Sequence, residues 1–399
     1  MANRNGGFIG TDGLDAPDPP TGVTPTAGDQ SLSIAFTAPT DTGTSAITGF
    51  VAQVSTDGTA YSAGSNTGTS SPIVVSSLSN GTSYTAKVWA INAYGTSAPS
   101  DASSGVSPDT LAQGFIFGGN DGDQNEHIDR FDLTTAGNAT DFGDLNRGLT
   151  QCGALGGATR CLIAGGYSGG STINTISYIT VGSTGSDSDF GDLTVARRGG
   201  PQSFNNTTRG VFCCGRNASG GNDNVIDYVT IASTGNATDF GDALLTRGFM
   251  QNGGHSNGTR GIFGLGEGGS DQYEYVTIAS TGNATDFGDA LRAKDDCTMM
   301  SNTVRGITAG GVSSSVLNEI EYITIASTGN ATDFGNLTSN SQDVASAASA
   351  TRGIISNIDD ANVVDQIQIP TTGNATDFGD MTSKKEQTAA ASNKNGGLG

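Results

Sequence analysis

Six near-copies of one phrase, STGNATDFGD, divide most of the chain into equal parts. Its phenylalanine falls at Phe142, Phe190, Phe240, Phe287, Phe334 and Phe378, so the steps between copies are 48, 50, 47, 47 and 44 residues. A period of that size belongs to an array of like supersecondary units, none of which buries its apolar face alone. Glycine would otherwise suggest disorder, at 61 of 399 residues with only 34% hydrophobic residues. Because the glycines recur at matched positions in the repeat, they read as turn and close-packing residues instead.

Each unit divides into four segments. The fifth reads DDCTMMSN, TVRGITAGGV, LNEIEYITIAS and TGNATDFGNL. Its short runs are β-branched and aromatic, hence strands, and TGN between the last two suits a tight turn with positive φ. The middle strands are apolar on both faces, as in Ile320, Tyr322, Ile323 and Ile325. A sandwich leaves one face of each sheet wet, whereas sheets stacked around an axis bury both, so a β-propeller of four-stranded blades is expected. The first unit begins directly at its second strand, LAQGFIFGGN. The chain runs past Phe378 into MTSKKEQTAAASN, which matches LTSNSQDVASAAS of the unit before. The strand near Gln387–Ser392 should therefore complete the first blade and close a ring of six. In this reading each DF phenylalanine wedges between neighbouring blades. The flanking Asp141, Asp144, Asp239, Asp242, Asp286 and Asp289 cap turns.

Before the array, residues 16–110 show short alternating strands (Leu32, Ile34 and Phe36; Phe50, Ala52 and Val54) separated by Gly/Asp/Thr/Pro turns. Leu78 precedes a turn at Gly81, and Tyr84 opens a strand with Ala86, Val88 and Ala90 on one face, well placed for a tyrosine corner. Trp89 falls on the opposite face. Residues 1–15 read as an arm that is disordered or orders on a partner, and 394–399 as a tail.

The module 16–110 resembles a fibronectin type III domain, with core residues Phe36, Phe50 and Tyr84. It departs where that family usually carries Trp, since Phe36 stands there. The array 111–393 resembles kelch repeats through its Gly-Gly doublets (Gly118/Gly119, Gly165/Gly166, Gly310/Gly311) and its third-strand Tyr178, Tyr228, Tyr275 and Tyr322. The DF phenylalanine stands where kelch repeats have Trp. The fold class expected is thus all-β: a fibronectin type III-like sandwich, then a six-bladed kelch-like propeller closed by the C-terminal strand.

The formal charge of −21, with six Glu (Glu126, Glu267, Glu274, Glu319, Glu321, Glu386) among 39 acids, argues against nucleic acid as a partner. Asp dominance is also a turn signature. Five cysteines (Cys152, Cys161, Cys213, Cys214, Cys297) follow no zinc spacing; Cys152 and Cys161 would face each other across a hairpin, and buried free thiols are the simpler expectation. No signal-like segment opens the chain and no apolar run reaches membrane-spanning length, so cytoplasmic synthesis without membrane insertion is expected. The NAT sequons would then stay unglycosylated.

No catalytic, cofactor or metal site is expected. His127 and His255 lie in non-equivalent strands without a nucleophile motif. The DFG letters lack every other kinase phrase. Asp121, Asp123 and Asn125 alternate as in calcium loops but lack the Gly and bidentate Glu, which favours an acidic loop. Arg160, Arg209, Arg260, Arg305 and Arg352 open second strands; a ring of them has the chemistry to grip an anion, but with this much Asp in the chain each is expected to pair with a local Asp. Binding is instead expected where the copies differ, in the connections between second and third strands: Asp121, Asp123, Tyr167, Asn217, Asp223, Glu267 and Asp271.

In composition and build the chain resembles virion structural proteins of tailed bacteriophages, particularly tail-fibre and adsorption components. That resemblance implies a non-enzymatic protein, assembled in the host cytoplasm and exposed on the virion in multiple copies. Its N-terminal module would dock to other virion proteins and its propeller would meet a host-surface glycan or receptor. The alternatives are a capsid decoration protein, a cellular carbohydrate-binding or adhesive propeller, and an enzyme such as the oxidases and sialidases found among kelch-like propellers.

Overall fold

The computed structural model describes residues 15–80, 82–108, 111–248, 253–267 and 269–397. The arm at 1–14, the turn glycine Gly81 and the last two residues lie outside it. The chain divides into two compact units, residues 1–111 and 112–399.

The first unit is a β-sandwich. One sheet pairs Thr21–Gly28, Ser31–Thr37 and Ile73–Ser76; the other runs Gly64–Gly68, Ile47–Ser55, Thr85–Asn92 and Gly95–Thr96. Alternation along Thr85–Asn92 is strict, with Ala86, Val88 and Ala90 buried and their neighbours partly wet. Phe36 and Phe50 meet in the core with ring centroids 4.8 Å apart. The Tyr84 hydroxyl accepts the Ser79 N–H at 3.2 Å, tying the strand to the loop before it. Trp89 points to the other face, edge-on to Tyr61. Asp15, expected in the arm, exchanges hydrogen bonds with Thr44 and so belongs to the sandwich.

The second unit contains six sheets with a common four-strand plan, all antiparallel. In strand order, sheet 2 runs Gly153–Gly156, Arg160–Ala164, Thr175–Thr180, Ser188–Asp192. Sheet 3 runs Gln202–Asn205, Arg209–Asn217, Asn222–Thr230, Thr238–Arg247, with the short Arg197–Arg198 pairing beside it. Sheet 4 runs His255–Ser256, Arg260–Gly264, Gln272–Thr277, Thr285–Asp289. Sheet 5 runs Thr298–Ser301, Arg305–Ala309, Glu319–Thr324, Thr332–Asn336. Sheet 6 runs Ser346–Ala348, Arg352–Ile358, Val363–Gln368, Thr376–Asp380.

Sheet 1 takes its last three strands from Gln113–Phe117, His127–Asp132 and Thr140–Asp144, and its first from Ala389–Ser392 at the other end of the chain. Ala390 pairs with Ile116 and Ser392 with Gly114. The first strands lie side by side in cyclic order, that of sheet 6 beside that of sheet 1. They are short, and those of sheets 1 and 6 are made only of Ala and Ser, which permits close approach. Side chains tie them laterally: Ser203 donates to Ala154 O, Ser256 to Asn205 O and Ser392 to Ala348 O. The segment expected as a tail is instead a 3-10 turn, Asn395–Gly397, against the first strands of sheets 1, 5 and 6.

The repeated phrase lies in the seams between sheets. In every fourth strand the pairing register slips at the phenylalanine, which becomes the extra residue of a β-bulge, and the following glycine adopts φ between 143° and 149°. A bulge re-aims one side chain, and here it drives each buried Phe into the next sheet. Phe142 packs with Ile179 and Val181 of sheet 2, and Phe378 with Phe131 and Leu133 of sheet 1. The bulge glycine abuts the TGN glycine of the following copy. A Cβ on Gly143 would stand 2.5 Å from Gly185 O, and one on Gly379 would stand 2.6 Å from Gly137 O.

The TGNA segment bonds the preceding sheet as well. Gly235 N–H donates to Phe190 O at 2.7 Å, Ala237 N–H to Asp192 O, and the Asn236 side chain accepts the Asp192 N–H. The last copy meets the first in the same way, through Ala139 N–H to Asp380 O and Asp380 N–H to Asn138 Oδ1. This corrects the reading of Gly and Asn as local turn chemistry, because their donors and acceptors serve the neighbouring sheet. Of the flanking acids, Asp141 caps Gly143 N–H, while Asp144 accepts from His127 and Asp286 from Gln272 across the sheet.

Candidate functional site

Two sets of conserved-looking polar residues turn out to be structural. The arginines that open the second strands were expected to pair with local Asp residues; among the described residues they instead lie over aromatic rings and donate to backbone carbonyls of the next sheet. Arg209 stacks 4.2 Å from the centre of the Tyr228 ring and donates to Ile278 O of the next sheet at 2.8 Å. Arg160, Arg260 and Arg305 repeat this on Tyr178, Tyr275 and Tyr322. Arg352, lying over Phe378, reaches Leu133 O of sheet 1. The tyrosine is the platform that orients a guanidinium for the neighbouring backbone.

The second set lies on the third strands, where Asp129, Asp227, Glu274, Glu321 and Asp365 are buried. Each accepts the N–H of a residue toward or just past the end of the preceding sheet's fourth strand: Thr382, Thr194, Leu244, Leu291 and Thr338 respectively. In sheet 2 the strand carries Ser177, and the acid moves to the turn, where Asp187 accepts the Asn146 N–H at 2.7 Å. These carboxylates are internal clamps.

The histidines are likewise engaged. His255 is buried, with Nδ1 3.0 Å from Met300 O and Nε2 3.3 Å from Thr308 Oγ1, and burial pushes its pKa down to about 4. His127 is exposed and faces Asp144 at 2.9 Å. All five cysteines are free and buried, and burial pushes the Cys152, Cys161 and Cys297 thiols up to about 12. Among the described residues no three His, Cys, Asp or Glu side chains converge to hold a metal ion.

The connections between second and third strands lie at one end of their sheets, together with those entering the first strands. Asp121 and Asp123 are exposed, but the loop satisfies itself: Asp121 accepts Asn125 Nδ2 at 2.9 Å and the Asp123 N–H. Gln124 links it to the loop of sheet 2, donating to Tyr167 O and accepting the Gly169 N–H. The Tyr167 ring lies 4.5 Å from the Arg198 guanidinium. Asn217 and Asp223 turn their oxygens onto their own loop, at Ser219, Gly221 and Val225 N–H. Glu267 and Asp271 are exposed, and Glu267 N–H donates to Gly248 O. The predicted residues therefore share an end without converging on one ligand-sized point.

One concavity at this end lies away from the residues expected from the sequence. It is a cavity of about 310 Å³ in sheet 6, whose walls include Ser341, Asp343, Asn357, Asp359, Asp360 and Glu386. Burial, with Asp296 and Glu386 nearby, pushes the Asp343 carboxyl up to about 7. Lys384 bridges Asp360 at 2.9 Å and Glu386 at 3.3 Å on the rim; its hydrogen bond holds Asp360 down, whereas burial raises Glu386. Glu386 also pairs through its backbone with Asn120, which joins this rim to the Asp121 loop. The signal in the sequence is Asn357-Ile358 followed by Asp359-Asp360, where units 1, 2 and 5 carry Gly-Gly.

With this geometry in view, the fibronectin type III domain family matches residues 18–106. The N-terminal unit is therefore a fibronectin type III domain and the chain is all-β. Titin domains A168–A170 are similar over 24% of this chain and 32% of that one, at 29% identity and a TM-score of 0.23. The matched part is thus about a third of the titin fragment's length. No curated protein matches the chain.

Proposed function

We propose that residues 112–397 form a six-bladed β-propeller of kelch-like layout, and that the chain is a non-enzymatic structural protein of a tailed-phage virion, a tail-associated fibre or adsorption component. The cyclic order of the first strands and the pairing of Ala389–Ser392 with Gln113–Phe117 support the propeller. The observation that carries the functional reading is the division of labour in the repeat. Its constant residues contact the next copy, while its divergent loops gather at one end and face solvent at Asp121, Asp123, Glu267 and Asp271. Such a build suits display on a rigid frame, with variable loops meeting a host-surface glycan or protein.

The fibronectin type III domain and the arm before it would dock the chain to other virion proteins, in multiple copies. The −21 charge keeps nucleic acid off the list of partners. Immunogold electron microscopy of virions with antibody raised against the repeat unit tests this: labelled tails are expected. Labelled capsid faces would move the protein to a decorating role, and particles without any label would reject the virion reading.

A further inference from the structure

Four of the buried third-strand acids meet a basic side chain from the same incoming segment that clamps them. Asp227 pairs with Arg197, Glu274 with Arg247 at 2.7 Å, Glu321 with Lys294 at 3.3 Å and Asp129 with Lys385 at 2.9 Å. Each base stands three residues after the clamping N–H, of Thr194, Leu244, Leu291 and Thr382. Sheet 2 lacks both partners, having Ser177 on the strand and Leu149 in the connection. Sheet 6 alone keeps the acid without the base. Asp365 retains its Thr338 clamp, but the third residue on is Ser341, and burial raises the Asp365 pKa.

The acidic cavity opens beside Ser341. In sheets 3 and 4 the arginine at this position also donates to the carbonyl of a left-handed residue five positions after the start of the second strand: Arg197 to Cys214 O at 3.4 Å and Arg247 to Leu265 O at 3.0 Å. Cys214 has φ 59° and Leu265 φ 64°; the residue of sheet 6 in this place is Asn357, at φ 61°. Asn357 lines the cavity and is 1% exposed. Its Nδ2 donates to Gln342 O at 3.3 Å, but its Oδ1 has no hydrogen-bond donor. A buried acceptor left unmet beside carboxylates is a place for an incoming donor that carries positive charge.

We propose that this cavity binds a guanidinium group from outside the chain, its N–H donated to Asn357 Oδ1 and its charge matched by the acidic lining of Asp343, Asp359, Asp360 and Glu386, where sheets 3 and 4 use their own arginines. The shape favours an organic cation over a bare metal ion. The volume far exceeds that of an ion, and the described residues offer no converging set of three metal ligands. An arginine side chain of a partner protein has the required planar donors. The assignment does not rest on the virion reading, because purified protein suffices to test it.

Calorimetric titration of the full chain with N-acetylargininamide is the test, with its uncharged citrulline counterpart and calcium chloride titrated in parallel. Saturable binding of the guanidinium is expected, at least about tenfold tighter than the citrulline compound. Ser341→Arg should place a guanidinium in the cavity from within and abolish binding. Asn357→Gly keeps the left-handed backbone while removing the unmet oxygen, and should weaken binding by about tenfold. Circular dichroism melts of both variants report folding, so either one alone suffices. Equal affinity for the citrulline compound, unchanged binding in a folded variant, tighter binding of calcium, or no heat from the guanidinium would each overturn the assignment.

Discussion

In the fibronectin type III domain a buried position is apolar and the next one along the strand is wet; in the repeat unit the first three strands of every sheet are buried on both faces, with carboxylates among them. The domain holds one core, built from Leu32, Ile34, Phe50, Val88 and their neighbours. The repeat unit holds six clusters, each shared by two adjacent sheets. A single core tolerates divergence of its strands so long as alternation and volume are kept. A seam between copies has to fit its own duplicate on the next sheet, which accounts for a phrase kept nearly letter for letter across six sheets.

That contrast is most exposed at the ends of the array. Truncation after Lys384 removes the first strand of sheet 1 and leaves Asp129 buried without Lys385. The largest effect is expected here: loss of the repeat unit's cooperative melting transition, with fibronectin domain amides still protected in hydrogen exchange. An unchanged melt would sink the closure.

Next in size come single members of a seam. Phe287→Ala should cost roughly 3–5 kcal/mol in denaturant unfolding, and Arg247→Ala, which leaves Glu274 buried and unpaired, about 3–5 kcal/mol. Gly288→Ala should cost about 2–3 kcal/mol, since its Cβ would stand 2.5 Å from Gly329 O at φ 143°. Gly58→Ala in the fibronectin domain shares the positive φ but meets open space, and should cost only about 1 kcal/mol. Equal losses at the two glycines would mean that the copy-to-copy contact adds nothing. Tyr84→Phe, removing the acceptor of the Ser79 N–H, should cost about 1 kcal/mol.

The smallest effect, dependence on pH, takes opposite signs in the two regions. Asp343 is raised from 3.8 to about 7, so the folded state binds its proton more tightly than the unfolded chain. Its contribution is complete below pH 3.8 and is lost as pH rises through about 7. Asp57 of the fibronectin domain is held low by the Ala60 and Thr59 N–H groups, so its contribution is present above pH 3.8 and lost as pH falls below its lowered value. Residue-resolved exchange at pH 5 and pH 8 should show the segment around Asp343 less protected at the higher pH. Asp343→Asn should remove that trend.

Much of this plan was legible in the residues. Strict alternation placed Ala86, Val88 and Ala90 in a core, and the missing first strand of the first unit pointed to the segment that now pairs with Gln113–Phe117. The bulge at each DF phenylalanine was not legible, because a one-residue slip of register leaves no mark on periodicity. Nor were the clamps. Arg197 meets Asp227 thirty residues later on the third strand of the same sheet, and Asn236 serves Asp192 of the sheet before, so neither pair shows in a local window. In three of the six sheets a residue other than glycine takes the left-handed position toward the far end of the second strand (Cys214, Leu265, Asn357), which hid the equivalence of that corner and with it the cavity of sheet 6.

The central claim is that the two ends of the repeat unit meet in one sheet. It is tested most directly by a disulfide between Ile116→Cys and Ala390→Cys, residues paired in register and packed in the same cluster. After mild oxidation, peptide mass spectrometry under non-reducing conditions should find those two residues linked within one chain, and the repeat unit should melt higher until reductant is added. Cysteines at 116 and 390 that stay unlinked in a folded protein would contradict the account.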